Sequence, residues 1–268
     1  MSAQALAAGA VRILNTPSAE EKARAGRRLA ADWRDSEERK IGLAQPPRRP
    51  ARPEYPALRP PREVPRRKIG PAVEGRIALL HALAHIELNA IDLAWDIVAR
   101  FSGSALPESF HDDWVHIADE ESKHYLLLSE RLKQLGSYYG ALPAHDGLWQ
   151  ASEETAGDLL ARLAVVPMVL EARGLDVTPD MIRKLEQAGD KDSAAVLEVI
   201  YQEEIGHVAV GRKWFEWLCA QQGKEPVGTW QELVSCHFRG PLKPPFNAEG
   251  RAQAGFPACY YEPLAGTT

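Results

Sequence analysis

Cysteine is scarce in this chain of 268 residues, which has only Cys219, Cys236 and Cys259. These three are widely spaced and form no Cys-x-x-Cys pair, so neither a disulfide framework nor a thiolate zinc site is indicated. Scattered thiols are typical of a reducing compartment, and the N-terminus shows no signal-peptide pattern. We therefore expect a cytoplasmic protein.

Long apolar runs and an excess of positive charge are also missing. The sequence contains no stretch of roughly 18 consecutive apolar residues, the length that a membrane span needs. The formal net charge of -5 and the pI of about 5.9 give no global attraction to nucleic acid or anionic lipid. We therefore expect no membrane association, and any basic binding surface must be local.

Proline marks the two ends of the chain as different from its middle. Residues 1–70 contain two short predicted helices, with Ser18 and Glu21 at the spacing of a capping box. The segment 46–68 follows, with eight prolines and eight basic residues against two acidic ones. This composition predicts an extended arm, which either packs on the protein or contacts an acidic partner or RNA. Residues 221–268 predict an irregular wrapping tail anchored by aromatic side chains.

The middle region, residues 71–220, has helical periodicity. Apolar side chains recur at helical spacing over 73–101, 109–135, 152–173 and 192–219, with a further short helix at 179–188. Glycine and proline interrupt the pattern between these segments. The chain is therefore predicted to be all-α, with a four-helix bundle as its central domain.

Two Glu-x-x-His motifs lie on the second and fourth long helices, Glu121 with His124 and Glu204 with His207. Side chains three residues apart share one face of a helix, so each carboxylate and imidazole can converge on one metal ion. A single such motif also describes an ordinary surface pair. Both glutamates, however, fall on apolar stripes, where an ionised carboxylate is costly unless a cation compensates it.

The other two long helices each add one glutamate on an apolar face. Glu87 and Glu171 complete the order Glu, Glu-x-x-His, Glu, Glu-x-x-His, with 34 residues from Glu87 to Glu121 and 33 from Glu171 to Glu204. This is the ligand order of ferritin-like di-iron and di-manganese carboxylate proteins. Oxygen and nitrogen ligands of this kind suit iron, with manganese as the alternative. The six residues therefore predict a centre of two metal ions.

On these motifs the chain resembles the ferritin-like superfamily and, more closely, a bacterial family called domain of unknown function 455. The resemblance extends over nearly the whole chain and rests on residues 84–92, 119–124, 170–173, 203–207 and 238–247. It implies a ferritin-like fold with a di-metal site. Residues 170–173 are also similar to the third-helix motif of the bacterial di-iron hydroxylase that oxidises a prenylated adenosine in tRNA, which implies oxygen chemistry.

Four residues near the ligands are candidates for an outer shell around the metals. Asp92 and Asp119 could each accept the second ring N–H of a metal-bound histidine. The alternative for Asp92 is a buried acid with another partner, and the alternative for Asp119 is a surface acid. Tyr125 and Tyr201 fall on ligand-bearing stripes, and their alternative role is core packing with a satisfied hydroxyl group.

Four further residues are interpreted as lying outside the ligand set. His81 and His85 lie off the stripe of Glu87, which favours packed or surface histidines over a seventh ligand. Glu120 and Glu203 precede ligand glutamates and point away by about 100° of helix rotation.

Three functions fit this pattern. The first is an oxidoreductase in which two ferrous ions reduce O2 to oxidise or hydroxylate an unknown organic substrate, such as a small molecule or a nucleoside-like compound. No segment resembles a flavin or nicotinamide site, so a separate electron-donor protein would be needed, and a monomer or homodimer is expected. The second is iron storage or detoxification, in a multisubunit shell. The third is a non-catalytic metal-binding bundle.

Overall fold

The computed structural model describes residues 5–60, 63–64, 69–70 and 72–266. Helices account for the regular secondary structure of these residues, and the only extended pairings among them are two isolated bridges, Leu58 with Ala144 and Leu242 with Ala265. The prediction of an all-α protein is confirmed.

Two compact units make up the chain, one ending at Trp149 and the other beginning at Gln150. The boundary falls within the short helix α5, Gly147–Glu154. This division differs from the predicted one, with boundaries after residues 70 and 220, which stays a prediction.

The first unit is built on two long helices that pack against each other, with two shorter helices beside them. In chain order they are α1 (Leu6–Leu14), α2 (Ala19–Asp35), α3 (Val73–Arg100) and α4 (Glu108–Gln134). Helix α4 contacts both α3 and α2, whereas α1 lies on α3. The Ser18 hydroxyl caps α2 by accepting a hydrogen bond from the Glu21 N–H at 3.4 Å, as the capping-box spacing predicted.

Helix α3 is long and apolar enough to cross a membrane by length and composition alone, with a mean hydropathy of 1.4 in its most apolar window. Charged and polar residues interrupt its apolar positions, so it contains no uninterrupted apolar run of that length. Because 83% of that window is buried inside the protein, the composition is that of a core helix.

The proline-rich arm packs on the first unit where the structure describes it. The Ala51 N–H donates to the Leu14 carbonyl at 2.8 Å, and the Arg59 N–H donates to the Ala144 carbonyl at 2.8 Å. The arm residue Arg52 also forms an ion pair with Asp92 at 2.9 Å. These contacts support the packed alternative, while residues 61–62 and 65–68 of the predicted arm lie outside the described residues.

The second unit contains one long helix, α8, and a series of shorter helical segments. They are α6 (Leu159–Val165), a π-helical turn (Val166–Glu171), α7 (Ala172–Gln187), α8 (Lys191–Gln221), α9 (Pro226–His237), α10 (Ala248–Gln253), α11 (Ala258–Tyr261) and a 3-10 turn (Glu262–Leu264). The prediction that one helix ends near Arg173 and another begins at Pro179 is wrong. Helix α7 runs through both positions, with Pro179 in its interior.

The tail is ordered within the second unit, as predicted, but part of it is helical. Helix α9 begins with Pro226, which is favourable at a first helical position, and Glu225 caps it by accepting from the Val227 and Gly228 N–H groups at 2.8 and 2.6 Å. Trp230 is buried and donates to the Ala164 carbonyl at 3.1 Å. The wrapping tail is therefore tied to α6.

Candidate metal centre

The first unit brings Glu87 on α3 together with Glu121 and His124 on α4. One ligand atom from each of the three lies within 4.8 Å of the others. His124 Nδ1 is 3.5 Å from Glu87 Oε2 and 3.5 Å from Glu121 Oε2. Their side chains are 6%, 1% and 0% exposed in the order Glu87, Glu121, His124. We call these residues the first triad.

Burial and like charge make the first triad unfavourable for anionic carboxylates alone. Burial is the main reason that the pKa of Glu87 lies well above its usual range, and the negative charge of Glu121 raises it further. The neighbouring His124 acts in the opposite direction. A bound divalent cation would offset both the desolvation and the repulsion.

The second unit brings Glu171 together with Glu204 and His207 of α8, which we call the second triad. One ligand atom from each again lies within 4.8 Å of the others, and His207 Nδ1 is 3.5 Å from Glu204 Oε1. Glu204 is 9% exposed and His207 is 1% exposed, so both are buried, whereas Glu171 is half-buried. The second triad is thus more exposed than the first.

Glu171 is the last residue of the π-helical turn, a structure that sequence reasoning missed. Pro167, the second residue of that turn, has no N–H to donate and disturbs regular α-helical pairing. Helix α8 approaches it so closely that a Cβ on Gly211 would lie 2.3 Å from the Pro167 Cβ. Pro167 inside a helical pattern was the available signal. Wide turns of this kind are frequent at functional sites.

The donor chemistry of each triad fits a metal ion. Two carboxylates and one imidazole form a mixed oxygen and nitrogen set, which suits iron or manganese better than a soft thiophilic metal. Three protein ligands also leave coordination positions open for water or a reactant. Each of these Glu/His groups could therefore hold a metal ion.

Asp92 and Asp119 have other partners than a histidine. Asp92 is fully buried, with its Oδ1 accepting from Lys22 Nζ at 2.5 Å and its Oδ2 lying 2.9 Å from Arg52. Asp119 forms ion pairs with Arg27 at 3.0 Å and Arg34 at 2.8 Å. Each aspartate anchors α2 or the arm, and these contacts give no support to a role beside the metals.

The two tyrosines also have partners that explain them. Tyr125 is 2% exposed and packs edge-on against Tyr139, with ring centroids 5.5 Å apart. Burial raises the pKa of its hydroxyl group. The Tyr201 hydroxyl accepts a hydrogen bond from Asn247 Nδ2 at 2.9 Å in the second unit. The contacts of Tyr125 favour core packing, and those of Tyr201 favour a hydroxyl group satisfied within the protein.

His81 and His85 are packed histidines, in agreement with the sequence interpretation. His81 Nε2 accepts from the Gly140 N–H at 2.9 Å. His85 Nδ1 lies 2.8 Å from the Tyr139 hydroxyl oxygen, and its Nε2 lies 3.0 Å from the His145 carbonyl oxygen. Burial is the main reason that the pKa of each ring falls to about 4. Both rings are therefore neutral near pH 7.

The two glutamates that precede ligands are in neither triad. Glu120 Oε1 lies 3.6 Å from Nε2 of the exposed residue His116. Glu203 is half-buried on α8. Neither residue is among the described Glu/His groups that could hold a metal.

Comparison with known proteins identifies relatives by sequence. A family model described as "Protein of unknown function (DUF455)" matches residues 15–262. The chain is also similar to an uncharacterized protein of Haemophilus influenzae, with 42% identity over 209 residues that cover 76% of this chain and 72% of that protein. No solved structure matches the chain. The family resemblance seen in the motifs is confirmed, while the wider one to ferritin-like proteins stays a prediction.

Proposed function

The chain belongs to the DUF455 family, and we propose that it is a ferritin-like di-iron oxidoreductase. The two triads would supply the six protein ligands of its two metal ions, with manganese as the alternative to iron. The observation that carries the proposal is the same Glu plus Glu-x-x-His triad in each unit, with its ligand atoms within 4.8 Å in both cases. Two such triads in the predicted order form the ligand set of a di-metal carboxylate protein.

The burial of the ligand side chains supports redox chemistry at this site. Iron bound there would supply one-electron chemistry with O2, which the protein's own side chains cannot perform. The first triad holds its carboxylates with at most 6% side-chain exposure, which keeps bulk water away. Glu171 of the second triad is half-buried, so we assign substrate access to that triad. The substrate would be a small organic molecule or a nucleoside-like compound, and a separate protein would supply electrons.

Iron storage is the alternative within the same superfamily. Residues 1–70 and 221–268 extend well beyond the predicted bundle, and the tail is packed on the second unit through Trp230. Such extensions suit a covered substrate site better than the wall of a closed shell. Size measurement separates the two functions, because the enzyme is expected as a monomer or homodimer and a storage protein as a large shell.

Anaerobic loading with Fe(II), followed by exposure to O2, tests the proposal. We expect two irons per chain and a transient near-ultraviolet or visible absorption band after mixing. A matched chain carrying Glu121→Gln and Glu204→Gln should lose both the iron and the band. Wild-type protein that retains two irons but does not react with O2 would favour a non-catalytic bundle, and one that binds no iron would contradict the metal site itself.

A further inference from the structure

Pro179 leaves one carbonyl group of α7 without its usual helical donor. A residue at this position would normally donate its N–H to the carbonyl four residues earlier, that of Leu175, but proline has no N–H. The Leu175 carbonyl instead accepts from Asn247 Nδ2 at 3.0 Å. A tail side chain thus replaces the hydrogen bond that Pro179 cannot make, which explains why α7 continues through a proline.

Asn247 also contacts α8. Its Nδ2 donates to the Tyr201 hydroxyl oxygen at 2.9 Å, and its backbone N–H donates to Asp176 Oδ1 of α7 at 2.9 Å. Its side-chain oxygen accepts from the Gly250 N–H at 3.1 Å and caps α10. One amide side chain therefore bridges α7 and α8 while starting a tail helix.

An ion pair fixes the same part of the tail to α7. Arg251 donates from Nε and Nη2 to the two oxygens of Asp176, both at 2.8 Å. The Arg251 and Asp176 side chains are 4% and 0% exposed. The guanidinium group lies over three aromatic rings, the nearest being that of Tyr261 at 4.3 Å. A bidentate pair held in this way is rigid.

A third contact joins the start of α7 to the tail. Arg173 Nη1 donates to the carbonyl of Lys243 at 2.7 Å and lies 3.3 Å from the carbonyl of Pro245. We call residues 243–251 the clasp, since this segment holds α7 at Arg173, Leu175 and Asp176 and holds α8 at Tyr201.

The clasp contacts lie about one helical turn from the metal ligands. Leu175 follows Glu171 by four residues, and Tyr201 precedes Glu204 by three residues. Glu171 stands at the end of a π-helical turn, where the regular hydrogen bonding of an α-helix is interrupted. Its position relative to Glu204 therefore depends on what holds α7 beside α8.

We propose that the clasp is a positioning element of the second triad, with Asn247 as the positioning residue that sets the spacing of the α7 and α8 ligands. This inference rests on the proposed metal site and adds a dependence that the ligands alone do not show. Metal binding at the second triad and docking of the tail would be linked, so each would strengthen the other. The first triad would be independent of the clasp.

Three substitutions in the 268-residue chain isolate this role. Asn247→Asp keeps the acceptor that caps α10 but replaces the donor to Leu175 with a repelling oxygen. Tyr201→Phe removes only the α8 side of the bridge and is the milder change. Arg239→Ala is the matched control, because Arg239 is also in the tail and forms an exposed ion pair at 3.0 Å with Glu154, which belongs to α5 and not to α7 or α8.

Titration with Co(II), followed by its visible absorption, reports both affinity and ligand geometry. His124→Ala and His207→Ala chains assign the bands to the first and second triads. For Asn247→Asp we expect about tenfold weaker Co(II) binding at the second triad with changed bands, the size of effect typical of contacts behind a ligand. Tyr201→Phe should give a smaller change in the same bands, and Arg239→Ala none.

A merely structural role would lower thermal stability without altering the Co(II) bands of the folded protein. The inference is therefore overturned if Asn247→Asp keeps wild-type Co(II) affinity and bands at the second triad. If Asn247→Asp does not fold, the same result for Tyr201→Phe overturns it. Equal weakening at both triads would also overturn it. Wild-type protein that binds no Co(II) would remove the proposed metal site and this inference together, whereas unchanged variants would remove this inference only.

Discussion

The two triads contain the same set of residues, two glutamates and one histidine, on different backbones. The first is carried by two regular helices of 28 and 27 residues, and none of its side chains is more than 6% exposed. The second takes one carboxylate from a π-helical turn, and the side chain of Glu204 is 12% exposed. The same ligand set is therefore held by regular, buried helices in the first triad and by an irregular, more exposed backbone in the second.

This difference teaches that ligand spacing alone does not set how a metal is held. Long, packed helices preorganise the first triad, so little rearrangement is needed when an ion binds. In the second triad, Glu171 depends on the contact of Pro167 with Gly211 and on the clasp. We therefore expect the first triad to bind metal more tightly and the second to exchange it faster.

Removing one histidine from either triad should have the largest effect. His124→Ala and His207→Ala are each expected to lower the metal affinity of their own triad by more than about 100-fold. This exceeds the loss seen when a residue that only supports a ligand is removed. His116→Ala is the control on α4, because its side chain is 61% exposed and lies beside Glu120. Competition with a chelator measures each affinity. Equal loss from His116→Ala would contradict the assignment.

Acid should weaken the unit of the first triad through His81. Burial lowers its pKa to about 4 from a usual value of 6.5, so the unfolded chain takes up the proton first as pH falls. The stabilisation is present above pH 6.5 and is lost as the pH falls toward 4, by roughly 2–3 kcal/mol. Denaturant titration of the metal-free protein across this range measures it.

His81→Gln is the matched variant for the pH experiment. A glutamine keeps an acceptor for the Gly140 N–H, which His81 Nε2 now satisfies, but it does not titrate. We expect a flatter dependence of unfolding free energy on pH. An unchanged slope would show that His81 is not the group that takes up the proton.

Gly211→Ala should damage the second triad and spare the first. Its added methyl group would meet Pro167 Cβ at 2.3 Å, and overpacking of this kind costs about 1–3 kcal/mol. The displaced π-helical turn should also lower the metal affinity of the second triad. Gly206→Ala, on the same helix with open space around the new atom, should instead stabilise the protein by about 0.5–1 kcal/mol. Similar losses from both variants would contradict this packing.

Asp119→Asn should have the smallest effect. Its partners Arg27 and Arg34 are 44% and 48% exposed, and ion pairs of this kind contribute about 0–1 kcal/mol each. Because its contacts are to α2, metal affinity at the first triad should stay at the wild-type value. If a chelator competition shows that the variant loses metal affinity, Asp119 does belong to the outer shell around the metals, as its sequence position indicated.

Local patterns explain what could be predicted from the sequence. The periodicity of residues 73–101 and 192–219 predicted α3 and α8 to within two residues, because burial of one face repeats every turn. The same reasoning predicted that Glu121 and His124 share a face. The inward position of Glu87 followed from the apolar residues around it.

Contacts between distant residues explain what could not be predicted. Pro179 was predicted to begin a separate helix, because the donor that lets α7 continue through it is Asn247, 72 residues after Leu175 in the chain. Asp92 was a candidate hydrogen-bond acceptor for a metal-bound histidine. Its actual partner, Lys22, lies 70 residues earlier in the chain, where no local pattern connects the two. The π-helical turn depends on Gly211 meeting Pro167, a contact that no local pattern contains.

Mössbauer and magnetic measurements on the iron-loaded full-length chain test the central claim most directly. One dinuclear centre predicts two irons per chain whose spins are coupled to each other after oxidation. The matched His124→Ala and His207→Ala chains should each lose that coupling. Two irons that remain magnetically independent, or a single iron per chain in fully loaded wild-type protein, would contradict the proposed di-iron function.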